Sequence, residues 1–229
     1  MGNTVGSINV NKLLSKLLST SEGAYILGLW CADGYHRTSS IGLSNKDEEL
    51  IEKFALFLLK VFSKDRLRVR VYYPLEAKEI RASERVAKIT RRIVYYPSPK
   101  ARQTSYHLYV NSRSLLRIFR LGRSKLLNMK KRVVISYIAG RFDGDGSIDK
   151  RKDRGFRIVY GNHKEAEIDR CLLKRIGIHK VSIYHYKQAK TFCLYLWRSE
   201  TLRVVKLLLP FSIRLQKLTF IPRRDSILK

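Results

Sequence analysis

The sequence predicts an α+β protein made of two αββαββα units related by a pseudo-twofold axis, and three observations lead there. First, the nonapeptide ILGLWCADG, Ile26 to Gly34, recurs as IAGRFDGDG, Ile138 to Gly146, an offset of 112 residues in a chain of 229. Second, each copy is followed by a polar stretch, an Asn and a helix-like segment: SNKDEELIEKFALFLLKVF in one half, GNHKEAEIDRCLLKRIG in the other. Third, each half continues as alternating strands and closes on another helix-like segment.

Taken in order, the first half is expected to hold a helix at about 22–33, strands near 35–44 and a helix at about 46–62. Strands near 66–73, 91–96 and 105–111 and a helix near 112–120 follow. The second half gives a helix at about 130–144, strands near 147–151 and 155–160, and a helix at about 164–176. Strands near 180–187 and 190–197 and a helix near 199–209 complete it. The halves are read as residues 1–121 and 130–229, with 122–129 as linker. The segment Leu75 to Thr90 has no counterpart and is expected to be an inserted arm or extra helix. The second hairpin is longer than the first, because Asp145 to Asn162 spans 17 residues where Asp33 to Asn45 spans 12.

The composition decides the partner class. Lys and Arg number 47 against 19 Asp and Glu, a net charge of +28, yet 45% of residues are hydrophobic. That much apolar content excludes a disordered tail, since disordered chains pair high charge with little to bury. A surplus of 28 cations repels itself in a compact state, which points to a polyanionic partner, nucleic acid first. No stretch reaches about 18 uncharged apolar residues, and the first residues hold no apolar run of signal-peptide length, so a soluble intracellular protein is expected, in a microbial cytoplasm or an organelle. Cys31, Cys171 and Cys193 form no CxxC pair, and the five histidines show no zinc spacing. Any metal should therefore rest on oxygen ligands.

Within the repeats, Gly28 and Ala32, like Gly140 and Gly144, stand at i and i+4 on one helical face, where small residues let two helices cross with their backbones nearly touching. Each helix then ends in Asp-Gly, Asp33-Gly34 and Asp145-Gly146, with the Gly expected in a left-handed helix end. Side-by-side packing brings the two carboxylates together at the negative ends of two helix dipoles. A divalent cation resolves that repulsion. Mg²⁺ on paired carboxylates is suited to metal-assisted phosphodiester hydrolysis.

The two nonapeptides resemble the paired signature of the LAGLIDADG homing endonucleases in their single-chain, two-repeat form. The likeness spans nearly the whole chain, and the first copy departs from the pattern at Cys31, where the second has Asp143. The resemblance implies a monomeric, intron-encoded, site-specific double-stranded DNA endonuclease that hydrolyses one phosphodiester on each strand and reads a long pseudo-palindromic target. Saddle-shaped antiparallel sheets would lie in the major groove. Mg²⁺ would be the cofactor, with Mn²⁺ substituting and Ca²⁺ supporting binding without cleavage. The alternative on the same scaffold is an RNA maturase acting on intron RNA, or a DNA-binding regulator.

The resemblance also carries site roles. Asp33 and Asp145 would hold metal, joined by the main-chain carbonyls of Ala32 and Gly144, and Asp143 would be a helix-end or packing residue. Asn45 and Asn162 would order water, although Asn is equally a preferred N-cap. For the basic residue near each centre, Lys130 and Lys217 fall 18 residues after the equivalent helix starts Ser112 and Ser199, with Lys46 as a rival in the first half.

The DNA surface follows from strand periodicity. In DRLRVRVYY, Leu67, Val69, Val71 and Tyr73 alternate with Arg66, Arg68, Arg70 and Tyr72, giving an apolar and a basic face. Arg37, Lys46, Lys150, Arg151, Lys152, Arg154, Arg157, Tyr184, Tyr186, Lys187 and Lys190 extend the expected contacts across both halves. Tyr95, Tyr96 and Tyr106 are read as either contacts or core.

Overall fold

The computed structural model describes residues 9–35, 39–77, 81–149 and 155–219. At its centre two helices run side by side in the same direction: α2 (Ser21–Asp33) and α6 (Lys131–Asp145). Both are apolar on nearly every side and buried accordingly, from Gly23 to Trp30 in α2 and over most of Val133–Asp143 in α6. Their contact leaves no room for a side chain. A methyl on Gly28 would stand 2.0 Å from the Tyr137 carbonyl oxygen, and one on Gly140 would stand 2.1 Å from that of Tyr25.

Each central helix feeds a sheet. After α2 come β1 (Gly34–Tyr35), β2 (Ser40–Asn45), α3 (Glu48–Leu59), β3 (Arg68–Tyr73), α4 (Glu84–Ile89), β4 (Ile93–Pro97), β5 (Ser105–Asn111) and α5 (Arg113–Ser124). The sheet order is β1-β2-β5-β3-β4. After α6 come β6 (Gly146–Ile148), β7 (Phe156–Tyr160), α7 (His163–Arg175), β8 (Val181–Tyr186), β9 (Thr191–Leu196) and α8 (Arg198–Leu208). The second sheet runs β6-β7-β9-β8, the order of the first once β4 is set aside.

The inserted segment explains the odd strand. β3 and β4 pair in parallel, Val69 opposite Ile93 and Tyr72 opposite Tyr96, whereas the other pairs are antiparallel. A parallel neighbour needs a crossover, and α4 in the 74–92 connection supplies it. The inserted segment thus adds a helix and delivers an edge strand.

Two helices were not anticipated from the sequence. α1 (Val10–Ser19), capped by the Asn9 side chain, buries Leu17 and packs against α2 and α5. α9 (Ile213–Thr219) follows α8 and returns to the ends of the central helices. The segment read as a linker from residue 122 begins inside α5, where Gly122 is buried, and a short 3-10 turn at Leu126–Asn128 leads into α6.

Strand alternation places the core. Leu67, Val69 and Val71 are 0–1% exposed, so Arg68, Arg70 and Tyr72 stand on the opposite face of β3. Ile41 and Leu43 of β2 and Leu108 and Val110 of β5 share the apolar side, covered by α3 and α5. The second sheet repeats the scheme with Phe156, Ile158, Leu194 and Leu196.

Candidate active site at the paired helix ends

Asp33 and Asp145 are the last residues of α2 and α6, and the parallel crossing carries both to the same end of the molecule. The approach is close: a methyl on Gly144 would meet the Ala32 side chain at 2.3 Å and Asp33 Oδ2 at 3.0 Å. The glycines that follow the acids are not left-handed, contrary to expectation. Gly34 has φ −68° and Gly146 φ −86°, both with extended ψ. They are glycine for space, because a Cβ would strike the Trp30 carbonyl and ring in one case and the Phe142 ring in the other.

Burial pushes the Asp33 carboxyl up to about 6, the charge of Asp145 adds to this, and the Asn45 amide opposes it. Asp145 is raised by burial as well. Arg141 and Arg214 hold it down, while Glu165 pushes it further up.

The two asparagines are not equivalent. Asn45 Nδ2 donates to Asp33 Oδ2 at 2.6 Å, and Asn45 Oδ1 accepts the Asp47 N–H at 2.7 Å. Asp47 takes the N-cap of α3, accepting from Glu49 N–H at 3.0 Å, and this leaves the Asn45 amide for the acid. Asn162 is itself the exposed N-cap of α7: it accepts from Glu165 N–H at 3.2 Å and donates to Glu165 Oε1 at 3.1 Å. The water-ordering reading of Asn162 is therefore at odds with this geometry. In the first half two residues separate the Asn from its helix; in the second, none do.

The basic residues are rearranged too. Lys130 is the N-cap of α6 and so stands a full 15-residue helix, about 22 Å, from Asp145. A lysine side chain does not span that distance, so Lys130 is no neighbour of the centre. Lys217 lies at the rim, with Nζ 2.8 Å from Asp47 Oδ2 and 3.0 Å from Glu49 Oε2, and those carboxylates raise its pKa against the opposing effect of burial. Lys46 is exposed and lines the cavity between Asp33 and α3, a space of about 490 Å³ shared with Asn45, Asp47, Gly144 and Arg214.

Arg214 was missed by the sequence reading. Its Nη1 donates to the carbonyls of Gly146 at 2.9 Å, Asp143 at 3.2 Å and Gly144 at 3.3 Å, closing the C-terminal end of α6. The Gly144 carbonyl, expected to face a metal, is thus shared with a guanidinium. Asp143 holds the helix that carries Arg214. Fully buried, it accepts from Tyr25 Oη at 2.6 Å, from Ile213 N–H at 2.8 Å, from Arg214 N–H at 3.2 Å and from Ser212 Oγ. The one signal available was Ser212, a cap residue ahead of an apolar and basic run.

On the outer face of the first sheet, Arg68 pairs with Tyr109 and Arg70 with His107 in register. The Arg70 guanidinium lies 4.9 Å from the Tyr109 ring centre, and Tyr72 stacks on Tyr96. Arg66 falls before the strand, in a 3-10 turn, where its Nη2 donates to the Asn111 carbonyl at 3.1 Å; it does not continue the open basic face. Tyr106 belongs to the core, with its hydroxyl on Glu48, whereas Tyr95 and Tyr96 are exposed. On the second sheet Tyr184 and Tyr186 are exposed, Arg157 is 3.8 Å from Asp149, and Lys187 and Lys190 occupy the exposed β8–β9 turn. Arg37, Lys150, Arg151, Lys152 and Arg154 lie outside the described residues.

The family description "LAGLIDADG-like domain" matches residues 20–121 and 132–208, most of the chain, with one of the central helices in each match. The chain belongs to the LAGLIDADG family. No curated relative is detected by sequence comparison. Solved LAGLIDADG structures share its fold at low identity. The homing endonuclease I-DmoI in complex with DNA and Mn is 18% identical, covers 82% of this chain and 96% of its own, and superposes with a TM-score of 0.56. The homing endonuclease I-WcaI bound to its DNA recognition sequence is 14% identical, covers 98% and 96%, and has a TM-score of 0.56. The N-terminal LAGLIDADG domain of DUF199/WhiA is 13% identical over 91% and 93%, with a TM-score of 0.50.

As in any LAGLIDADG chain with two copies of the motif, both acids come from one polypeptide here. Among the described residues, no group of three or more His, Cys, Asp or Glu could by itself hold a metal ion, and no helix is long and apolar enough to cross a membrane.

Proposed function

We propose that this protein is a site-specific double-stranded DNA endonuclease, encoded within an intron, that acts as a monomer and hydrolyses one phosphodiester on each strand. The pairing of Asp33 and Asp145 at one end of the α2–α6 crossing carries this reading, because two half-buried carboxylates at negative helix ends are costly without a cation. Residues 1–121 and 130–229 act as the two halves, joined through 122–129. Solved structures of I-DmoI with DNA include Mn, Mg or Ca, which supports a divalent metal. We assign Mg²⁺ as the resident ion.

The donor set fits a hard divalent cation. It is all oxygen, with two carboxylates that resist ionising side by side and the carbonyls of Ala32 and Gly144 adjoining them. When bound, such an ion supplies Lewis acidity toward phosphate and lowers the pKa of water.

The side chains do the rest. Asn45 fixes Asp33 through its amide and orders water in the cavity. Arg214, whose Nε and Nη2 have no partner among the described residues, faces the charge that develops on the scissile phosphate. Asp143 positions Arg214 by tying down α9. Arg68, Arg70 and Tyr72 on one sheet and Tyr184 and Tyr186 on the other read the two unlike half-sites in the major groove.

The test is cleavage of plasmid DNA carrying the gene's own insertion junction without the insert. Linear product is expected with Mg²⁺ or Mn²⁺, and binding alone with Ca²⁺. Cleavage undiminished in a chelator contradicts the proposal.

A further inference from the structure

The charge surplus is not confined to the sheets. From Arg85 to Phe142 the chain has no Asp or Glu, and between Arg113 and Arg132 alone it carries eight Lys or Arg. That stretch forms α5, the 3-10 turn and the first turn of α6. On α5, Leu115, Leu116, Ile118, Phe119 and Gly122 face inward, with the Phe119 ring against Trp30, Phe54 and Phe57. Arg113 and Arg117, one turn apart, are exposed on the other side. Lys125, Lys130, Lys131 and Arg132 are exposed where α5 hands over to α6, the end of the central pair opposite Asp33 and Asp145.

None of these six cations makes an ion pair among the described residues. Like charges so placed repel one another, and three of them crowd a helix start that has no acid in its first turn. The cost is uncompensated among the described residues, and a row of phosphates compensates it.

The surface also says which polyanion. α5 is about 18 Å long, matching about five phosphates along one strand of a duplex. Between Arg113 and Arg132 no aromatic side chain is exposed, so nothing is offered for unpaired bases to stack on.

We propose that this cationic cap is a second nucleic-acid surface that grips the phosphate backbone of a second stretch of duplex DNA without reading its bases. One chain then holds two duplex segments at once, one against the sheets and one against α5 and the start of α6. This does not rest on cleavage activity.

The experiment counts random DNA duplexes of roughly twenty base pairs, two helical turns, long enough to cover both sheets and too stiff to bend round to the opposite face, bound to the full chain at low salt by native mass spectrometry and calorimetry. The wild type is expected to bind two. Arg113→Gln, Arg117→Gln and Lys131→Gln combined should leave one, whereas the equal-charge control Lys53→Gln, Lys64→Gln and Lys206→Gln should still bind two. Arg68→Gln with Arg70→Gln should weaken the other duplex and spare the cap. A single duplex on the wild type, two on the cap variant, or the same loss in the control overturns the proposal. So does an RNA hairpin that displaces the cap duplex at lower concentration than DNA. Two bound duplexes alongside an insertion-junction plasmid left uncut in Mg²⁺ would defeat the endonuclease reading alone.

Discussion

The α2–α6 crossing makes a prediction whose sign is diagnostic. Replacing a helix-interior glycine by alanine ordinarily stabilises by about 1 kcal/mol, through helix propensity. At Gly140 the new methyl would stand 2.1 Å from the Tyr25 carbonyl oxygen and 2.8 Å from the Leu29 nitrogen. A carbon and a carbonyl oxygen rest at about 3.3 Å, so the helices must part by roughly an ångström. Both obstacles are backbone, and no rotamer change relieves them. Overpacking costs about 1–3 kcal/mol, and a rigid contact belongs at the upper end. The net expectation is about 2 kcal/mol of destabilisation, measured as a lowered urea midpoint at unchanged slope. Gly161→Ala is the control, since nothing lies within 4 Å of its added methyl. Gly140→Ala should also depress cleavage beyond its loss of stability, because the same shift separates Asp33 from Asp145. A Gly140→Ala protein as stable as the wild type, or more so, refutes the tight crossing and with it the placement of the acids.

Three other outcomes follow from particular contacts. His107 is 8% exposed, and burial with the Arg70 charge lowers its pKa to about 4, below the unfolded value of about 6.5. The unfolded chain therefore takes up the proton first, and stability is lost as pH falls from 6.5 to about 4, by up to about 3 kcal/mol; His107→Gln should remove that component from the pH profile of unfolding. Asn45→Ala should slow hydrolysis of one strand by roughly a hundredfold and accumulate nicked circles, whereas Asn162→Ala should cost only a cap of about 1 kcal/mol and leave the strand ratio unchanged. Arg70→Ala should cost about 1–3 kcal/mol of binding and relax preference at one or two positions of a single half-site if it meets a base edge, as competition with variant duplexes would read.

What the sequence disclosed and what it withheld divide along physical lines. The duplicated helices were legible because close approach demands small residues at fixed spacing, and Gly28, Gly140 and Gly144 meet backbone or a side chain at about the distances such a crossing implies. The basic and apolar faces of β3 were legible because strand alternation is local. The parallel pairing of β4 was not, since it depends on where the chain returns after a crossover. Arg214 was hidden for a similar reason: its place is set by Asp143, some 70 residues earlier, and no local pattern announces such a tether. The asparagines were ambiguous because capping and reaching an acid use the same side chain. The difference between Asn45 and Asn162 came down to a two-residue spacer ahead of α3. Gly34 and Gly146 were misread because lack of space and a left-handed backbone select the same residue.

The central claim is that Asp33 and Asp145 jointly hold the metal that drives cleavage. Asp33→Asn and Asp145→Asn, each assayed on supercoiled plasmid bearing the uninterrupted insertion junction, test it most directly, with binding followed in Ca²⁺. Each variant should bind the junction as the wild type does and fail to make the double-strand break. Either one breaking both strands at the wild-type rate contradicts the claim.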